Sequence, residues 1–417
     1  MKKNFITGLL SGVCSSILLF AIIGTLYVMA DGKVNEYNNN NNVGIESEKD
    51  GQPTLKAEGF KQIEDKLTFL EMLVDNYYLE EVDPKVYADG IYKGFISSLH
   101  DPYSTYYTAE EYKALMESSS GVYHGIGATV SQNTKTGVIT IVKPFKTGPA
   151  YEAGLHPGDI LYLVEGEEVT GVDLTEVVSK MKGAEGTKVR ISVLRDGETK
   201  PMEFTITRRQ IEVPTIEYQM LDNKIGYIVI SEFDEITVSQ FKEAIDKLEE
   251  KGMRGLVIDV RNNPGGLLEA VCRMLDRLLP KGLLVYTEDK YGNRVEEKAE
   301  DSQKLKVPLA VIINGQSASA SEIFAGAVQD YEIGTIVGTT SFGKGIVQKV
   351  IPLTDGTAVK LTISKYFTPK GRNIHGTGIT PDVEIELNEE LLKEIEIPIE
   401  KDNQLQKAIE TVEEKIK

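Results

Sequence analysis

Two short stretches hold side chains whose types and spacing suit chemistry. The first is GTTSFGKG, residues 338–345, which follows the phosphate-loop pattern G-x-x-x-x-G-K-[ST] as far as Lys344 and then places Gly345 where a serine or threonine belongs. Such a loop needs a strand before it and a helix opening after it, because the helix N-terminus supplies amides that face the anion. GTIVG supplies the strand, but GIVQKVIPLTDG after Lys344 is alternating and β-branched and stops at Pro352, the texture of another strand. The absent hydroxyl would also have bound the magnesium. Lys344 is therefore read as something other than a phosphate lysine.

A lysine between two glycines can serve as a general base once burial lowers its pKa. A free lysine titrates near ~10.4 and lowering that value by one pH unit costs about 1.4 kcal/mol, so reaching neutrality asks for several kcal/mol of desolvation. Phe342, Ile346 and Val347 are candidate apolar walls. Nucleophile candidates stand in the second stretch, QSASASE, residues 316–322: Ser317, Ser319 and Ser321. This run lies between an apolar strand and a small-residue helix, where a serine is exposed near a helix N-terminus that favours developing negative charge. A local alternative is a capping box, with Ser319 as N-cap and Glu322 three residues on. No G-x-S-x-G elbow is present, and spacing alone does not choose among the three serines. None of the four histidines, His100, His124, His156 and His375, has a triad context.

The elements around these stretches read as α/β from 211 to 385: KIGYIVIS, GLVIDV and VPLAVIIN as buried strands, TVSQFKEAIDKLEEKG and GLLEAVCRMLDRLL as helices, and the turn RNNPGG between strand and helix. Residues 118–210 change to short β-like runs with little helix: GVYHGIGATV, GVITIVKPF, DILYLVEGEEV, TKVRISVLRDG and PMEFTITRR. Their order resembles a PDZ domain, with Gly125, Ile126, Gly127 and Ala128 in place of its carboxylate-binding loop. Glycines there let backbone amides approach a chain-terminal carboxylate while the peptide adds to the sheet edge. Residues 57–117 read as helical, with Phe60, Ile63, Leu67, Leu70, Leu73 and Val74 at helical spacing, and the tail 386–417 as two helical stretches.

The whole chain sets further bounds. At 417 residues there is room for two or three domains, and a net charge of −18 without a basic stripe excludes a nucleic-acid partner. Two cysteines, Cys14 and Cys272, and scattered histidines give neither a disulfide nor a metal site. From Asn4 to Ala30 the chain carries no charge, after Lys2 and Lys3 and before Asp31. That length and charge order predict a single membrane-spanning helix with the bulk of the chain outside the cytoplasm. Cleavage after Val28-Met29-Ala30, leaving a secreted protein, is the alternative. Residues 31–56, with their asparagine run, read as a polar linker. Export also argues against a phosphate loop that uses ATP.

Together with LHDPYSTY (99–106) and KYFTPKGRNIHGTGITPDV (365–383), the runs DVRNNPGG, SASASEI and FGKGIVQ resemble the carboxyl-terminal processing proteases, PDZ-containing serine endopeptidases with a Ser–Lys dyad. The resemblance implies an α/β protease core, a mixed sheet with packed helices, carrying an inserted mostly-β PDZ domain. It implies Ser319 as nucleophile, Lys344 as base, Gln348 as the residue that orients the lysine, and an oxyanion hole from the Ala320 and Gly265 amides. No cofactor is implied. Expected partners are proteins or peptides with free apolar C-termini, the membrane through residues 4–30, and a second copy of the chain in a homodimer. Two positions depart from the family's pattern: Gln316, and Lys182 where an arginine is expected. The competing reading is a membrane-tethered PDZ scaffold on a silent protease core.

Overall fold

The computed structural model describes residues 45–47, 53–55, 57–300, 305–393 and 397–416. The expected membrane helix, residues 4–30, and most of the linker lie outside the described residues; among those described, no helix is long and apolar enough to cross a membrane. The chain divides into two compact units, Met1–Ala88 and Asp89–Lys417. The first contains the helix Ala57–Tyr77.

The second unit is organised by a six-stranded sheet ordered Ile216–Met220, Ile225–Ile230, Gly255–Asp259, Leu309–Ile313, Gly334–Gly338, Val383–Glu384. Its first pair is antiparallel and the rest are parallel. GLVID and LAVII are buried at every position, as continuous apolar runs require when both sheet faces are covered. One face carries the helices Glu235–Glu250, Leu268–Asp276 and Ala320–Asp330. The helix Asn403–Ile416 covers the other, placing Leu405, Ala408 and Val412 against Ile225, Val257, Ala310 and Ile312. A Cβ at Gly255 would lie 2.2 Å from Val412, so only glycine admits the helix this close. Arg261 anchors the start of that helix by pairing with both Asp259 and Asp402 at 2.6 Å. The acidic tail is thus built into the core, its second helical stretch fully formed and its first reduced to the 3₁₀ turn Glu389–Lys393.

A second, antiparallel sheet is ordered Arg294–Ala299, Gly282–Asp289, Ala358–Phe367, Ile346–Pro352, with Thr105–Tyr107 added beside Ala358–Lys360. The residues after Lys344 are a strand, as their alternation predicts, and no helix opens there to face a phosphate. The β-rich module between the helix Ala109–Ser120 and residue 210 forms its own sheet, ordered Met202–Thr207, Lys188–Leu194, Ile160–Val164, Ile139–Pro144, Ala128–Gln132. The helix Leu174–Met181 packs Val177 and Met181 into that module's separate core.

Candidate active site

The strand Leu309–Ile313 runs through a tight turn into the helix Ala320–Asp330, and the three candidate serines occupy that turn and the first helical turn. Ser317 and Ser321 are fully buried, and their hydroxyls donate to the Val260 carbonyl at 2.8 Å and the Asn263 carbonyl at 2.9 Å. Both staple the turn to residues 260–263, and neither is exposed. Ser319 is partly exposed and holds φ 54°, ψ −113° at the N-cap. That conformation costs a non-glycine residue on the order of 1–3 kcal/mol and is the strained geometry of a nucleophile elbow, here reached without flanking glycines. Its surroundings hold it: the Ser319 amide donates to Glu322 Oε2 at 2.9 Å, its carbonyl accepts from Tyr366 Oη at 3.1 Å, and the Ala318 amide donates to the Asn263 carbonyl at 3.0 Å. Capping and nucleophile geometry therefore coexist at one residue.

Glu322 does far more than cap. It is fully buried, and besides the Ser319 amide it accepts Ser341 Oγ at 2.5 Å, the Gly343 amide at 2.7 Å and the Lys344 amide at 2.8 Å. One carboxylate thus joins the serine turn to the FGKG loop. The glycines of that loop have local reasons: Gly343 has φ 88°, and a Cβ on Gly345 would lie 2.5 Å from the His375 amide nitrogen. The sequence offers only a capping signal for Glu322, and nothing in it points to the loop.

Lys344 is half-buried. Burial chiefly, and then the nearby Lys360 charge, push its pKa below the ordinary lysine value, against the pull of Asp101 and Glu322. Its wall is not Phe342, which is 57% exposed, but Tyr103, whose ring centroid lies 4.6 Å from Lys344 Nζ. Gln348 Nε2 donates to Thr362 Oγ1 at 3.2 Å. Among the described residues no hydrogen bond joins Lys344 Nζ to Ser319 or to Gln348, so the structure brings their segments together without closing the dyad.

Ala320 opens the helix, and its amide has no intrahelical acceptor. Gly265, at φ 112°, packs so closely that a Cβ would lie 2.8 Å from Ser319 Cβ and 3.0 Å from the Ala320 nitrogen. Its amide is occupied, donating to Asn263 Oδ1 at 2.8 Å. All four histidines are exposed, and among the described residues none of their rings hydrogen-bonds Ser317, Ser319 or Ser321. The buried Cys272 thiol is pushed up to about 12, mainly by burial and then by Glu297 and Glu269, and is no nucleophile.

In the β-rich module Gly125, Ile126 and Gly127 are buried and Ala128 begins the terminal strand of the sheet. The Ile126 and Gly127 carbonyls accept from the Ala150 and Phe145 amides at 2.8 and 2.9 Å, which fixes the loop. Tyr123 folds its phenol toward the loop: burial raises its pKa and the Ala128 and Gly127 amides oppose the rise. Lys182, the residue in place of the expected arginine, stands 5.0 Å from the Tyr123 ring centroid and pairs with Glu117 at 3.0 Å, linking the module to the helix Ala109–Ser120.

Comparisons with known proteins agree with this architecture. Residues 224–385 match Peptidase family S41, 124–206 match the PDZ domain, and 19–111 match the N-terminal domain of the activating protease CtpB. The chain is 41% identical to the carboxy-terminal processing protease CtpA of Bacillus subtilis (strain 168) over 76% of this chain and 67% of the relative. It is 39% identical to CtpB of the same organism over 77% of this chain and 67% of that protein. A protein of known structure from Bacteroides fragilis, assigned to the S41 proteases, shares the fold with a TM-score of 0.52 at 17% identity, covering 77% of this chain and 90% of that one. The chain belongs to peptidase family S41 and is a PDZ-containing serine-type peptidase of the carboxy-terminal processing protease family.

Proposed function

We propose that this protein is a membrane-anchored endopeptidase that takes hold of a substrate's free, apolar C-terminus with its PDZ domain and cuts through a Ser–Lys dyad. The observation that carries the reading is the strained, partly exposed Ser319 on a helix N-cap, tied through buried Glu322 to the loop that bears Lys344. The terminal strand Ala128–Gln132 offers an edge to which a peptide can add, and residues 125–128 supply amides for its carboxylate.

In this reading Lys344 acts as the neutral amine, which its depressed pKa favours, and takes the proton from Ser319 as that oxygen attacks the peptide carbonyl. Gln348 turns from Thr362 to orient the lysine. The Ala320 amide binds the oxyanion, and the Gly265 amide joins it by exchanging Asn263 Oδ1 for the new charge. The lysine returns the proton to the leaving amine, and water releases the acyl-enzyme. Residues 4–30 anchor the chain and 31–56 space it from the bilayer, so that the PDZ domain, 118–210, and the protease core, 211–385, work outside the cytoplasm, in a homodimer.

The test incubates the full chain with a poorly folded protein that ends in apolar residues, beside Ser319→Ala and Lys344→Ala. Cleavage by the parent and loss of at least about 10³-fold in both variants supports the dyad. Cleavage by Lys344→Ala removes the lysine from the mechanism. Binding of the C-terminal peptide without any cleavage by the parent favours the silent scaffold.

A further inference from the structure

The segment HDPYSTYY, residues 100–107, precedes the PDZ domain in sequence and has no part in the mechanism above, yet it lies against the proposed base. Thr105–Tyr107 pairs with Ala358–Lys360 and so joins the sheet that carries Gln348. Just before it the chain turns on Asp101. Asp101 Oδ1 accepts the Tyr103 amide at 3.0 Å and Oδ2 accepts the Ser104 hydroxyl at 2.6 Å, while Ser104 Oγ accepts the Thr362 amide at 3.1 Å. The turn fixes the Tyr103 ring, and Lys344 Nζ stands 4.6 Å from its centroid, well inside the range of a cation–π contact.

We propose that Tyr103 and Asp101 form a docking site for the protonated side chain of Lys344, a rest position that the lysine leaves in order to take the proton from Ser319. The proposal rests on the dyad reading and makes both residues positioning residues, since neither touches the reacting atoms. The ring face and the carboxylate each favour the ammonium over the amine. The groups that face Lys344 come from three elements: Asp101 and Tyr103 from the turn, Glu322 from the nucleophile helix and Lys360 from the neighbouring strand. Asp101 and Glu322 favour the charged form, whereas burial and Lys360 favour the neutral one. Asp101 is itself equipped to hold a cation. Burial works against its ionisation, but hydrogen bonds from Ser104, Thr362 and the Tyr103 amide, with the Lys344 charge, hold its carboxyl below the ordinary range. The Gln348–Thr362 bond is then the matching rest position of the orienting residue, and the Thr362 amide bonded to Ser104 places both rest positions on one strand.

The docking site has a signature that loss of fold does not produce. Activity requires the neutral lysine, so cleavage rises with pH through the Lys344 pKa, and removing a group that favours the ammonium moves this acid limb to lower pH. The experiment measures kcat/KM against pH with the full chain and a peptide substrate, and melting temperature alongside. Tyr103→Leu, which keeps bulk and loses the ring, should move the limb down by about half to one pH unit, and Asp101→Asn should move it the same way. Tyr103→Phe, which keeps the ring, should restore the parental limb. Lys360→Met should move the limb up. A uniform loss of rate with Tyr103→Leu and Asp101→Asn, at every pH and with the limb in place, overturns the proposal, as does an upward shift in either. Lys344→Met separates the two readings: if it is inactive while the Tyr103 and Asp101 limbs stay put, only the docking site fails. If it still cleaves, the dyad itself fails.

Discussion

The serine turn and the lysine loop meet at Glu322 but are built on different terms. Around Ser319 almost every constraint acts on backbone: two buried serine hydroxyls bond main-chain carbonyls, the Asn263 carbonyl receives the Ala318 amide, and the Ser319 amide and carbonyl are both held. The backbone of Lys344 is fixed as firmly, through Gly343 and Glu322. Its working atom, however, lies at the end of a four-carbon stem and rests on the Tyr103 ring, with the Asp101 charge favouring its ammonium form. The position of Ser319, the proposed nucleophile, is set by folding, whereas Lys344, the proposed base, has a choice of partners within reach. Strain stored at a catalytic residue must be over-determined by its surroundings to persist. A residue that has to shuttle a proton gains from contacts worth only about 0.5–2 kcal/mol, which thermal motion crosses readily.

The strongest way to break this contrast is to remove the carboxylate that both halves share. Glu322→Ala leaves four donors without their acceptor in a buried place, and should cost about 3 kcal/mol or more in urea unfolding while abolishing cleavage. Glu322→Gln keeps the shape but turns one end into a donor facing donors, and should fall between Ala and the parent. A Glu322→Ala protein with parental stability and rate would show that the two segments do not depend on this joint.

The three serines sharpen the contrast within a single turn. Ser317→Ala and Ser321→Ala each strip a hydrogen bond from a buried carbonyl and should cost about 1–2 kcal/mol of stability, with cleavage kept within a few-fold. Ser319→Ala should do the reverse, leaving the unfolding midpoint nearly unchanged and removing activity. Denaturation curves and initial rates on the same three variants decide it, and a nucleophile at Ser317 or Ser321 would invert the pattern.

Much of this architecture is legible along the chain, because its signals are local. GLVID and LAVII announce buried parallel strands by having no polar alternation, and the alternation after Lys344 by itself rules out a phosphate loop. The order of short strands around Gly125–Ala128 points to the PDZ domain for the same reason. What escapes the sequence depends on distance. Ser319-x-x-Glu322 is a capping pattern whether or not the glutamate also receives a loop from elsewhere, so its three further donors are invisible. Phe342 is next to Lys344's glycine and is the natural choice of wall, but in the loop it is exposed, and Tyr103 comes in from a segment that precedes the PDZ domain in sequence. The apolar stripe of the tail suits a partner or the chain itself equally, and only the glycine at 255 reveals that the sheet makes room for it.

The smallest expected effect concerns the charge that Lys344 brings into the site. Its pKa is depressed by burial first and Lys360 second, so the folded protein holds this proton less willingly than the unfolded chain does. Between the folded and unfolded values the unfolded state binds more protons, and the contribution of this residue to stability therefore rises with pH. Lys344→Met, which fills the same space without the charge, should raise the melting temperature by a degree or so near neutral pH, with the gain shrinking as pH climbs toward the ordinary lysine range of ~10.4. Scanning calorimetry of the parent and the variant at several pH values measures it. A gain that grew with pH would mean that Asp101, Glu322 and the Tyr103 ring compensate the buried ammonium in full. The expected trend instead makes Lys344 a site where stability is given up to keep the proposed base within reach of neutrality, opposite Ser319, the proposed nucleophile, whose cost is carried by backbone strain.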